Sequence, residues 1–88
     1  FEEAKLSFAF EPLALVVEDQ PDVRDFLADV LNQAFSGAEV ISLSCLAEAE
    51  AWLDDLGLSA RRRVVVALVD IGLPDGSGLA FIRRLRKD

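Results

Sequence analysis

The chain contains no histidine and no threonine, and its one cysteine is Cys45. A single cysteine rules out an intramolecular disulfide. Without histidine there is no Cys/His zinc site and no Ser-His or Cys-His nucleophile pair. Any chemistry the chain performs must therefore run on carboxylates. Long apolar runs are also missing, and none approaches the roughly 18 to 20 residues that cross a bilayer. No basic, apolar and small-residue series reads as a secretory signal, so a soluble cytoplasmic protein is expected. Positive charge is scarce, with 9 basic against 16 acidic residues and a net charge of −7. That balance argues against direct nucleic-acid or membrane binding by this segment. The few cations cluster late, at Arg61, Arg62 and Arg63 and at Arg83, Arg84, Arg86 and Lys87, and are expected to be solvated loop and helix ends. With 88 residues, 52% of them hydrophobic, the chain is expected to form one small domain.

Residues 1–12 alternate weakly and are expected to form a tail, an edge strand or a partner contact. Leu13 to Val17 is a continuous aliphatic run, too short for a helix, and suits a strand buried on both faces. Pro21 fits the first turn of a helix. Val23, Phe26, Leu27, Val30, Leu31 and Ala34 then recur as one apolar stripe, and Ser36-Gly37 supplies a stop with a left-handed glycine. Val40, Ile41 and Leu43 read as a second strand. Ser44 is expected to cap a second helix with Leu46, Ala49, Leu53 and Leu56 inward and Trp52 at the margin. A loop over 57–63 leads to Val64–Val69, whose unalternating composition suits a central parallel strand. A third helix is expected near Leu79, with Phe81, Ile82 and Leu85 inward. The order β-α-β-α-β-α calls for a parallel sheet with right-handed crossovers and helices on both faces.

In such sheets, ligands bind beyond the carboxyl ends of the strands. Glu18 and Asp19 follow the first strand there, and Asp70 follows the third. A single acid after a strand is usually a helix cap or a turn former, but a doubled acid beside a second strand-end acid is hard to explain by caps alone. Carboxylates about 4 Å apart repel by about 4 kcal/mol at an effective dielectric of about 20, so a proton or a cation is needed among them. An oxygen-only donor set of this size suits Mg²⁺. Asp22, Asp25 and Asp29, by contrast, belong to the polar face of the first helix. In Asp70-Ile71-Gly72-Leu73-Pro74-Asp75-Gly76-Ser77-Gly78, Pro74 bends the loop away from the strand, and Gly76 and Gly78 permit positive φ before the next helix. Gly72 and Pro74 stand where an EF-hand needs oxygen ligands, and no glycine fingerprint for phosphate or dinucleotide follows the first strand.

Taken together, VVEDQPDVRDFL, VVVALVD and DIGLPDGSGL resemble the receiver domain of two-component response regulators, the CheY-like family, over residues 13–88. The resemblance implies an α/β, flavodoxin-like parallel sheet, here truncated to β-α-β-α-β-α with strand order 2-1-3. It implies that Asp70 is the phosphoacceptor, taking a phosphoryl group from a phosphohistidine on a sensor histidine kinase or phosphotransfer protein. The implied Mg²⁺ ligands are Asp19 and Asp70 directly, Glu18 through water, and the backbone carbonyl of Gly72, with Pro74 and Gly78 shaping the loop. A carboxylate attacking phosphorus through a loose, in-line transition state needs positioning and neutralisation more than acid-base groups. The partner brings the histidine.

A complete receiver continues through a fourth and a fifth β-α unit, with a switch Ser or Thr after the fourth strand and a Lys after the fifth. Here there is no Thr, and the lysines are Lys5 and Lys87; neither ends a strand. The expectation is a partial receiver, with an effector domain in the same full-length protein or none. Its third strand would be left as an open edge, and part of the first helix would be uncovered, so the chain is expected to self-associate. The expected role is signalling rather than enzymatic. Two alternatives are a phosphate-unresponsive interaction or dimerisation module and a haloacid-dehalogenase-like phosphatase. The phosphatase would need a second acid at position 72, which is glycine.

Overall fold

A computed structural model describes residues 11–57 and 61–87. The expected tail or edge strand over residues 1–12 therefore lies almost wholly outside the described residues, as does part of the 57–63 loop. The elements are β1 (Leu13–Val17), α1 (Pro21–Ala34), β2 (Glu39–Leu43), α2 (Leu46–Leu56), β3 (Val64–Val69), β4 (Gly72–Leu73), β5 (Gly76–Ser77) and α3 (Gly78–Arg86). The first three strands form a parallel sheet in the order β2-β1-β3, and β4 and β5 pair antiparallel as a separate small hairpin. This is the flavodoxin-like 2-1-3 arrangement.

Every residue of β1 is buried, as its unbroken aliphatic run predicts. Alternate side chains leave the strand on opposite faces. Leu15 and Val17 join Ala49 and Leu53 of α2, Leu73 of β4 and Phe81 of α3 in one cluster, while Ala14 and Val16 pack with Leu31 of α1 on the other. Among the described residues, the sheet is thus covered by α2 and α3 on one side and by α1 on the other. Trp52 packs at the edge of the larger cluster.

Several local expectations need correction. The apolar stripe of α1 is wider than the surface it meets: Leu31 is buried, whereas Val23 is 39% exposed, Phe26 65% and Val30 41%. Amphipathic spacing records which face can be buried, and a three-stranded sheet covers only part of it. The α1 stop is not a left-handed glycine either. Its C-cap is Phe35, and only Gly57 and Gly76 have positive φ among the described residues. By composition β3 reads as a central strand, yet among the described residues it pairs with β1 alone and is only half-buried. Its register shifts between Leu13↔Val64 and Ala14↔Val66, which leaves Val65 without a counterpart and 54% exposed. A bulge of this kind bends an edge strand.

The start of α2 also differs from expectation. Ser44 does not cap the helix: Cys45 is the N-cap residue and makes no side-chain cap bond. Instead, the Ser44 N–H and hydroxyl both donate to the Glu48 carboxylate, at 2.8 and 2.9 Å. The N–H groups of Leu46 and Ala47 donate to Asp75, 29 and 28 residues away. At α3, Ser77 is the N-cap and accepts from the Leu79 N–H at 3.2 Å, and Leu79 is 40% exposed. The late cations are not merely solvated. Arg84 forks between Glu50 and Asp54, tying α3 to α2, and these two acids hold its guanidinium above the usual arginine range. Arg63 pairs with Glu11, and Arg61 donates to the Lys87 carbonyl.

Candidate acidic metal and phosphoacceptor site

The carboxyl ends of β1 and β3 are fixed side by side by their own backbones. The Asp70 N–H donates to the Val17 carbonyl at 2.9 Å, and the Glu18 N–H donates to the Leu43 carbonyl at 3.0 Å. Each bond carries the sheet one residue past its last strand position, so Glu18 and Asp70 sit where the ladder places them and not at the whim of a loop. The carboxylates of Glu18, Asp19 and Asp70 each offer an oxygen within 4.8 Å of the other two, and all three residues are half-buried. A cleft of about 330 Å³ lined by Glu18, Leu27, Leu68, Val69 and Asp70 opens beside them. A larger hollow, about 410 Å³, runs along the edge of β3 that no described strand pairs, among Arg61, Arg62, Arg86 and aliphatic residues, and holds none of these acids.

Local hydrogen bonds occupy only part of the cluster's acceptor capacity. Glu18 Oε2 accepts from the Gln20 N–H at 3.2 Å, and Asp70 Oδ1 accepts from the Gly72 N–H at 3.0 Å. The first bond lies before α1, and Gln20, the α1 N-cap, makes no side-chain cap bond. Neither acid of the Glu18-Asp19 pair thus serves as a cap on α1. The Arg24 guanidinium donates to the Glu18 carbonyl at 2.9 Å and not to a carboxylate of the cluster.

A divalent ion fits this donor set. Oxygens around one Mg²⁺ at about 2.1 Å lie roughly 3 Å apart in cis and about 4.2 Å in trans. The three oxygens, all within 4.8 Å of one another, span little more than that shell. At this separation or less each pair of charges repels by at least about 3.5 kcal/mol at an effective dielectric of about 20. A shared cation would turn that repulsion into binding energy.

The loop after Asp70 positions the other anticipated residues. Gly72 pairs with Ser77 and Leu73 with Gly76, so Pro74 and Asp75 form the tip of a hairpin where glycine and proline content alone indicates a loop. Gly78 is required for space and not for φ. A Cβ there would stand 2.0 Å from the Asp70 carbonyl oxygen and 2.8 Å from Val69 Cγ1. Gly76 does have a positive φ of 150° and lies flat on Leu46. Asp75 and Arg24 were not anticipated near the site. Asp75 sits in a motif whose glycines and proline drew the attention, and the partners of its carboxylate are remote in sequence. The backbone N–H of Leu46, then that of Ala47, holds its carboxyl below the usual carboxylate range. The Ser44 N–H, then its hydroxyl, does the same for Glu48.

A parallel 2-1-3 sheet with two acids after its first strand and one after its third is the receiver layout. Over 73 residues, 83% of its length, the chain is 38% identical to the KDP operon transcriptional regulatory protein KdpE of Escherichia coli (strain K12). The chain belongs to the response-regulator receiver family. It spans 29% of the length of that relative. No family model matches the chain, and no solved structure matches it significantly. In this receiver segment no described helix is long and apolar enough to cross a membrane.

Proposed function

We propose that this receiver segment accepts a phosphoryl group on Asp70 from the phosphohistidine of a sensor histidine kinase or phosphotransfer protein. The observation that carries the reading is the convergence of the Glu18, Asp19 and Asp70 carboxylates within 4.8 Å at the ends of β1 and β3. A bond would form between an Asp70 carboxylate oxygen and phosphorus as the phosphorus–nitrogen bond of the donor breaks. The imidazole leaves with the electron pair and takes a proton from water. Glu18, Asp19, Asp70 and the Gly72 carbonyl would hold Mg²⁺, which supplies neutralisation of the carboxylate and phosphoryl oxygens when bound. The Gly72 N–H would keep one Asp70 oxygen fixed and so leave the other to attack.

The relative's name makes it a transcriptional regulator, and we extend that output to the protein of which this receiver is a part, through residues outside the matched 29% of that relative's length. The segment itself would act in the cytoplasm as a switch and not as an enzyme. We also propose that the 88-residue chain self-associates through the open edge of β3 and the uncovered face of α1, since Val65 and Phe26 are exposed there. Labelling with acetyl phosphate and Mg²⁺ tests the acceptor role. The protein in its full natural length is expected to gain one acid-labile phosphoryl group that Asp70→Asn abolishes. Undiminished labelling of Asp70→Asn would refute the assignment.

A further inference from the structure

We propose that Asp75 is a positioning residue for the acid cluster. By fastening the hairpin tip to the first turn of α2, it holds the Gly72 N–H on the Asp70 carboxylate. The functional consequence rests on the reading of Asp70 given above, whereas the structural link does not.

A two-stranded hairpin with two residues per strand has no stability of its own, and four residues around its tip, Pro74, Asp75, Gly76 and Ser77, are exposed. Something outside the hairpin must fix it. At its base Leu73 is buried in the main core cluster, and the Gly78 N–H donates to the Ile71 carbonyl at 3.0 Å. At its tip Asp75 Oδ1 accepts from the Leu46 N–H at 2.8 Å and Oδ2 accepts from the Ala47 N–H at 2.9 Å. Those two amides are the first of α2 and have no partner within the helix. Gly76 closes on the same turn: a Cβ would come within 2.6 Å of Leu46 Cδ2. Gly72 begins the first hairpin strand, and its N–H reaches Asp70 Oδ1 at 3.0 Å. The path from the helix to the acceptor carboxylate is therefore continuous: the α2 amides, Asp75, the paired strands, Gly72, Asp70.

A plain helix cap would stabilise α2 and leave Gly72 alone. The two roles separate because Glu48 supports the same turn of α2 through Ser44 without touching the hairpin. The experiment is residue-resolved amide exchange on the protein in its full natural length, with Mg²⁺ titrated in parallel. Asp75→Ala is expected to speed exchange at Leu46, Ala47 and Gly72 by about tenfold or more, to leave the β1 amides of Leu15 and Val16 unchanged, and to weaken Mg²⁺ binding about threefold to tenfold. Asp75→Asn keeps one acceptor oxygen and should fall between; it replaces the alanine variant if the β1 amides show that variant unfolded. Glu48→Ala should loosen Leu46 and Ala47 but not Gly72. Unchanged Gly72 exchange in the Asp75 variants, or equal loosening of Gly72 by Glu48→Ala, overturns the proposal. A wild-type protein that binds no Mg²⁺ would sink the acceptor reading instead, while Gly72 exchange still decides the link.

Discussion

The Asp70 N–H bonds to the Val17 carbonyl at 2.9 Å, so the ladder between β1 and β3 runs one residue beyond the end of β3. That bond fixes the backbone carrying Asp70 directly beside the backbone that leads into Glu18 and Asp19. The acid cluster is thus a consequence of sheet pairing, and its geometry should be as stiff as the centre of the fold.

The close approach of Gly78 to Asp70 makes that stiffness measurable. Gly78→Ala would drive a methyl group into the Asp70 carbonyl at 2.0 Å, a backbone contact that cannot yield by a rotamer change. We expect a loss of about 2–3 kcal/mol in urea unfolding, at the upper part of the range for overpacking. Gly37 is the contrast. Nothing lies within 4 Å of its would-be Cβ, and its φ is not positive, so Gly37→Ala should be neutral or add about 0.5 kcal/mol.

Asp75 and Glu48 both have carboxyls held below their ordinary range by N–H donors. A carboxyl whose folded pKa is depressed binds fewer protons in the folded state. Its stabilising contribution is complete above the unfolded pKa, near 4, and is lost as pH falls through the lower folded value. The urea midpoint should hold between pH 7 and about 5 and then decline toward pH 3. The double variant Asp75→Asn, Glu48→Gln should start lower at pH 7 and decline less steeply, and parallel curves would show that these two groups do not set the acid limb.

Much of this was legible in the sequence, and what was not has a common cause. The unbroken runs of β1 and β3 and the acids that end them could be read because strand burial and strand-end chemistry are local. The inward face of α2 was readable from spacing alone. The exposure of Phe26 and Val30 agrees with the expected uncovering of part of the first helix, but periodicity marks a face without saying which of its residues the rest of the chain covers. Asp75, Arg84 and the Gly72–Ser77 hairpin escaped for another reason: their partners lie 28 to 34 residues away, or depend on a turn only two residues long.

The exposed apolar surface predicts association of the 88-residue chain. Val65 is 54% exposed on the edge of β3 that no described strand pairs, and Phe26 is 65% exposed on α1. An unpaired apolar strand edge invites pairing with another chain. Light scattering should show a mass above the monomer at micromolar concentration, and Val65→Lys with Phe26→Ser should lower it. A wild-type chain that is already a folded monomer would contradict this.

The account stands most directly on whether one divalent ion joins the acids of β1 to the acid of β3. Calorimetric titration with Mg²⁺ should give a single site, with affinity falling at least tenfold in Asp19→Asn and in Asp70→Asn and less in Glu18→Gln. Equal Mg²⁺ affinity in the wild type and in Asp70→Asn would place the ion elsewhere and contradict the shared site.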